Sequence, residues 1–546
     1  MFLISITMDL LSQWLGYPAA LDRILSIIGI EIHWFILQYV LGLPLVILLA
    51  LLIYKKNGNE GYFKLARTAS KALGLIFAVG AATGTASEFG LLVIWPNLLE
   101  AAGRYIYFPL YLEIFAFLTE IIFIYMLVFA WNKLSLNAKI LVALLALLGA
   151  WFSAAMIVSV NSYMVAPTGI APAFSQQQGW LYSQGYPKVF LVIPGQIASA
   201  LDLAKLAPLG VEVVGDVKEG VAVYIPSKIV ARLAAEAWSG VSLKDSILAG
   251  FLKQGVQLPL EKILVKDVVD SILLATVQHV RYQTVTFQSP VYTGSIIHAI
   301  GAGLTTTAFT VAGAYAFLLL KRKSDYYKTG LRFGIMLSLL FIILQGAVFG
   351  HIMGEEIANY NPEKLSAMEG TSNAILSIPR AFGIEGLMKI IIYGNPNAML
   401  PSYDLIPSDY CSLGGVPSVG ECRPPLLIHY LYYTKTGLAV LLGIISLLLT
   451  FYVYKKKELN NVLLALAALT PLLAQLVSFL GWAVREMGRK PWSIYGVMTA
   501  DIAHTSNPPD PLSVVLVASL FLGALVALLF AAYKILYLPS IRGEGQ

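Results

Sequence analysis

The chain has 546 residues, 58% of them hydrophobic and 12% charged, with a formal net charge of +6 at pH 7. That balance excludes a water-soluble globule, and the small positive excess gives no reason to expect a nucleic-acid partner. Apolar runs long enough to cross a ~30 Å hydrocarbon layer recur along the chain instead.

Residues 1–20 open with the short apolar MFLISITM, which lacks a basic n-region and a small-residue cleavage site, so no cleaved signal peptide is expected. Spanning segments follow at about 30–53, 72–95, 107–131 and 140–165, then 293–320 and 331–353, then 426–454, 462–484 and 511–536. In lipid each backbone amide must be satisfied within its own segment, so these nine runs predict an all-α polytopic bundle. Between the fourth and fifth runs, residues 170–290 alternate strand-like stretches (KVFLVIP, VEVVG, VAVYIP) with amphipathic helical patterns. They read as a small extracytoplasmic α/β insert. Residues 354–425, rich in Pro, Gly, Asn and Ser, read as an elaborated outer loop. The domain plan is therefore 1–169, 170–290, 291–353, 354–425 and 426–546.

Lys and Arg collect in the links after the first, third, fifth and seventh segments, including KRKSDYYKTGLR and YKKK. By the positive-inside rule those links are cytoplasmic and the N-terminus lies outside, in a multi-pass protein of the plasma membrane. The two cysteines, Cys411 and Cys422, both fall in the outer loop, where a disulfide and two unpaired thiols are equally compatible with the sequence.

Ionisable groups inside spanning segments cost ~2.5–3.5 kcal/mol each near the bilayer centre, so each one asks for a reason. Segment 1 carries Glu31 and His33, segment 2 Glu88, segment 3 Glu113 and Glu120, and segment 5 His298. His429 opens segment 7, and Glu486 closes segment 8 within GWAVREMGRKPW. The topology puts His33, His298, His429 and Glu486 at one depth near the outer face. A neutral imidazole can ligate haem iron, and Arg489 and Lys490 can hold haem propionates at the rim. For any single histidine the alternative is a packed core residue, and for Trp492 an interfacial anchor. Glu113 and Glu120, seven apart, share a helix face, and Ser153 and Asn161 on segment 4 are available to a hydrogen-bonded proton path. Interhelical packing is the competing account of these polar groups.

LDRILSIIGIEIHWFI, GLIFAVGAATGTASEFG, LYLEIFAFLTE, WFSAAMIVSVNSYMVAPTG, SIIHAIGAG, EKLSAMEG and GWAVREMGRKPW, in that order, resemble subunit I of the cytochrome bd-type quinol oxidases. The resemblance covers nearly all spanning segments but not the 170–290 insert. It implies a low-spin haem b, a high-spin haem b and a haem d or second high-spin haem, all near the outer face. It makes His33 and Glu486 the axial ligands of the high-spin haems and His298 a ligand of the low-spin haem. Glu88, Arg489 and Trp492 would line the haem site, and Lys364 and Glu369 would bind and deprotonate quinol as a charged pair. Glu113, Glu120, Ser153 and Asn161 would carry protons from inside to the site of oxygen reduction to water. Quinol, oxygen, a second membrane subunit and small single-helix subunits are the implied partners. The family's low-spin haem takes a methionine near the start of segment 7; aligning on Gly437 puts Tyr433 at that position, and His429, one turn earlier on the same helix face, is expected to replace the methionine. A secondary transporter and a haem-binding paralogue without oxygen reduction are the alternative functions, although no inverted repeat supports the first.

Overall fold

The computed structural model describes residues 20–165, 189–194, 212–214, 220–225, 289, 291–373, 376–393, 403–405, 423–455, 458–494, 498–505 and 510–539. Among these residues nine helices are long and apolar enough to cross a membrane. They are α1 (Ala20–Asn57), α2 (Glu60–Ile94), α3 (Pro96–Phe129), α4 (Leu136–Val165), α5 (Tyr292–Lys321), α6 (Asp325–Leu344), α7 (Leu427–Tyr454), α8 (Asn461–Met487) and α9 (Pro511–Ala532). The all-α bundle expected from the sequence is therefore observed. Helix α1 starts about ten residues earlier than its apolar run, and Asp22 and Arg23 are buried within its first turns.

Local chemistry sets the helix ends. The α1–α2 link turns at Gly58, whose φ of +68° suits a residue without a side chain, and Asn59 then caps α2 by accepting from Gly61 N at 2.8 Å. Pro96 sits in the first turn of α3, where its missing N–H costs nothing. Asn460 caps α8 through Leu463 N at 2.9 Å, and Asp510 caps α9 through Leu512 N and Ser513 N. Where α3 turns into α4, Arg67 and Lys139 lie over the Trp131 ring, and Lys139 also donates to the Leu134 carbonyl.

Helices α1 and α5 form the centre of the bundle, and α9 lies at its edge. Small residues permit the close approaches that helix association in lipid requires. A methyl group at Gly42 would lie 2.2 Å from Thr307 Oγ1, and one at Gly313 would lie 2.3 Å from Pro471 Cγ. These contacts press α1 and α8 against α5.

Helix α6 does not stop at 353. It passes through one π turn, Gln345–Phe349, and continues as Gly350–Tyr360. The stretch read as an outer loop also contains short helices, Pro362–Glu369, Ile378–Ala381 and Glu385–Tyr393. Within 170–290, β1 (Val189–Pro194), β2 (Glu212–Val214) and β3 (Gly220–Ile225) form an antiparallel sheet in the order β1-β3-β2. These are the three strand-like stretches of the sequence; the helical patterns of the insert, Cys411 and Cys422 lie outside the described residues. After α8 the chain forms a hairpin of β4 (Trp492–Ile494) and β5 (Met498–Thr499).

Candidate functional site

Glu486 ends α8 with both carboxylate oxygens engaged. Asn161 Nδ2 of α4 donates to Oε1 at 2.7 Å, and Arg489 Nη2 donates to Oε2 at 2.6 Å. Arg485 Nε donates to Asn161 Oδ1 at 2.5 Å, and its Nη1 reaches Ser295 Oγ of α5 at 3.1 Å. One amide thus joins α4 to a carboxylate and a guanidinium on successive residues of α8. Arg489 Nε and Nη1 and Arg485 Nη2 are buried without hydrogen-bond partners. Donors left in that state call for an anion.

Helix α1 is clamped to the same end of α8. Trp34 stacks on Trp482 with ring centroids 5.2 Å apart, and its Nε1 donates to Ser478 Oγ at 2.8 Å. His33, beside Trp34, has Nδ1 3.2 Å from Thr83 Oγ1, and its ring fits against Gly84, where a methyl would lie 2.8 Å from Cε1. Two residues before it, Glu31 feels the charge of Glu486 and has a buried, unpartnered Oε2. His33 and Glu486 are therefore brought into one neighbourhood, as their depth predicted.

His298 lies on α5 against the π turn of α6, with Gln345 Nε2 3.2 Å from its Nδ1 and donating to its backbone oxygen at 3.1 Å. His429 differs from the other two histidines. It is completely buried, its Nδ1 donates to Met368 O at 2.7 Å, and its Nε2 accepts from Ile378 N at 3.0 Å. A methyl at Gly370, whose φ is +81°, would lie 2.9 Å from the ring. With both nitrogens committed to the backbone, His429 does not fit an axial haem ligand; it holds residues 368–378 against α7. His429→Ala should therefore leave every haem band in place. Losing two buried hydrogen bonds should destabilise the segment by ~2–3 kcal/mol, checked by limited proteolysis and reduced-minus-oxidised spectra.

Lys364 and Glu369 share the short helix Pro362–Glu369 but do not pair with each other. Lys364, 4% exposed, points to the end of α8, where its Cε would lie 2.6 Å from a methyl at Gly488. Burial, and then Arg485 beside it, pull the Lys364 ammonium down to about 7. Glu369 is fully buried, accepts from Tyr433 Oη of α7 at 2.8 Å and keeps Oε1 without a partner. Burial raises its carboxyl to about 7 against the opposing hydrogen bond from Tyr433. The expected charged pair is thus two separate groups, the cation toward Glu486 and the acid toward α7.

The carboxylates of α3 face α4. Ser153 Oγ donates to Glu113 Oε1 at 2.9 Å, and two turns along, Glu120 Cγ packs 3.4 Å from the methyl position of Gly149. Glu88 of α2 lies within the field of Glu113. Asn161 belongs to the Glu486 network rather than to this ladder. Trp492 is buried in β4 and so is not an anchor at the surface. The sequence does not assign Arg485 its place on Asn161 and Ser295 or Tyr433 its hydrogen bond to Glu369, although the spacing Arg-Glu-x-x-Arg was an available signal for the first.

Such a bundle, with histidines, a carboxylate and unpartnered guanidinium donors gathered at one end, is that of a polytopic membrane protein. A family model described as Cytochrome bd terminal oxidase subunit I matches residues 21–200 and 272–543, so the chain belongs to the cytochrome bd terminal oxidase subunit I family. The unmatched 201–271 falls inside the insert. A Bacillus subtilis (strain 168) protein, provisionally named cytochrome bd menaquinol oxidase subunit I, is 23% identical over 85% of both chains. Cytochrome bd ubiquinol oxidase subunit 1 of the same organism is 21% identical over 94% of this chain and 91% of its own. The solved structure of bd oxidase from Geobacillus thermodenitrificans has the same fold, with a TM-score of 0.65 at 20% identity over 95% of this chain and 98% of that one. Family membership sets aside the transporter reading and implies haem. The residues present fit that group: neutral imidazoles at His33 and His298, a carboxylate at Glu486 with lone pairs left over from its two hydrogen bonds, and guanidinium donors without partners for propionates.

Proposed function

We propose that the chain is the haem-bearing subunit of a membrane quinol:oxygen oxidoreductase, oxidising quinol at the outer face and reducing oxygen to water with protons drawn from inside. The observation that carries this reading is the Glu486–Arg489–Asn161–Arg485 network, with Lys364 of the outer loop directed at the same helix end. His33 and Glu486 would hold two high-spin haems, b-type and d-type or a second b, and His298 a low-spin haem b. Bound haems supply electron transfer and oxygen chemistry. Arg489 and Arg485 neutralise propionates, and the stacked Trp34 and Trp482 hold α1 against α8 beside them.

Glu369 is the acceptor for a quinol hydroxyl proton, through the oxygen that Tyr433 does not occupy. Lys364 supplies positive charge between the quinol and Glu486. On the inner route Glu120, Ser153 and Glu113 pass protons outward along the α3–α4 face, and Glu88 receives them. Lys and Arg in the links after α1, α3, α5 and α7 support an outside N-terminus, and with it this proton direction. A second membrane subunit, with small single-helix subunits, would cover the apolar outward faces of α3 and α9.

The test is a purified complex assayed for quinol-dependent oxygen consumption and for reduced-minus-oxidised haem bands. A colourless preparation rejects the reading, and b bands without an oxygen-reactive high-spin centre reduce the protein to a non-catalytic paralogue. Glu113→Gln should lower turnover at least ~10-fold while leaving the haem spectrum unchanged, because a relay member is lost but no haem ligand.

A further inference from the structure

Helix α7 carries a lysine that nothing above uses. Lys435 lies eight residues into α7, ~12 Å along the axis from its outer end. Among the described residues it makes no ion pair and no hydrogen bond, and its one close aromatic neighbour is Tyr432 of the same helix, 5.3 Å from Nζ to the ring centroid. A bare ammonium at that depth is unfavourable.

Helix α7 packs on α6 and α8 but at most marginally on α5. Deeper in the bundle, Phe309 of α5 meets Leu442 of α7 and Ala474 of α8, and these close the space below. His298 stands three turns above Phe309, and Lys435 two turns above Leu442. The Lys435 stem passes Gly481 of α8, its Cδ 3.5 Å from the methyl position, and a methyl at Gly437 would meet nothing. Lys435, Arg485 and Lys364 are the cations near enough for their charge to reach the His298 imidazole. An imidazole thus stands on the α5 side and an amine, unpartnered among the described residues, on the α7 side. His429 cannot fill the second position, since both its nitrogens are taken.

We propose, resting on the haem reading above, that Lys435 as a neutral amine is the second axial ligand of the haem held by His298. The ammonium gives its proton to bulk water when it ligates, so the charge within the helix layer disappears and the nitrogen gains a partner that the described residues do not provide. A neutral nitrogen opposite the imidazole keeps that iron low-spin, and it favours the oxidised state more than a thioether sulfur does.

Lys435→Ala, Lys435→Arg and Lys435→Met would be purified with the partner subunit and examined by absorption and near-infrared magnetic circular dichroism. Alanine and arginine should both abolish the low-spin b signal, since a guanidinium stays protonated and cannot ligate. Methionine should restore a low-spin signal, now with a sulfur-to-iron band and a raised midpoint potential. An unchanged low-spin signal in the alanine variant overturns the proposal, as does retention in the arginine variant, which would make Lys435 a propionate partner. A sulfur band in the wild type, with Met353 of the α6 extension as its source, overturns it too. Retained high-spin bands in the variants certify folding. Absence of all haem bands from the wild-type complex would instead reject the underlying haem reading.

Discussion

Glu486→Ala is expected to erase one high-spin haem signal and lower quinol-dependent oxygen consumption at least ~100-fold, more than the 10–100-fold typical of groups that only support a metal ligand. The carboxylate is both the candidate ligand and the counter-charge of Arg489, which lies 2.6 Å from it and is almost wholly buried. Removing one partner of such a pair leaves a buried charge uncompensated, at a cost of ~3–5 kcal/mol. Glu486→Gln separates these effects. The glutamine oxygen can still accept from Arg489, but its amide nitrogen then meets Asn161 Nδ2 donor to donor. The fold should survive in Gln while the haem signal is lost. A full haem complement in both variants would remove Glu486 from the ligand set.

The second large effect is on pH dependence. Glu369, raised to about 7 by burial, must be ionised to accept a proton from quinol, so kcat/KM should climb about tenfold per unit below pH 7 and level off above it. Lys364, lowered to about 7 by burial and by Arg485, is cationic only below that value, so its contribution should fade as pH rises. The two limbs meet near neutrality and give a bell-shaped profile. Glu369→Gln should flatten the acidic limb and reduce turnover ~100-fold, and Lys364→Met should flatten the alkaline limb. Initial rates with a soluble quinol from pH 5.5 to 8.5 check both. An acidic limb that persists in Glu369→Gln would assign the proton acceptor elsewhere.

The nine membrane-length helices among the described residues could be read directly, because hydrocarbon tolerates little but an apolar helix of sufficient length. The level of His33, His298 and Glu486 could be read as well, since helix direction and residue count fix depth. Rotation about the helix axis could not. His429 has the right depth, yet its ring turns toward residues 368–378, and only the positive φ of Gly370 and the backbone groups of Met368 and Ile378 reveal why. Lys364 and Glu369 illustrate the same limit. Five residues on a helix separate them by about 140° around the axis, so neighbours in sequence face different partners. The ladder of Glu113 and Glu120 was legible for the converse reason: a spacing of seven returns to the same face, and that face meets Ser153 and Gly149.

Asn161 has one further consequence. Its amide offers a hydrogen to the acid on one side and an oxygen to the base on the other, and these two contacts leave no freedom to flip. Two oppositely charged neighbours in the chain are thereby kept from collapsing onto each other, so the acid retains electron density to give elsewhere. Exchanging that single NH2 for an oxygen, as in Asn161→Asp, would set two acids face to face and let the guanidinium be captured by the newcomer. A neutral side chain here acts as a sorting device for charge.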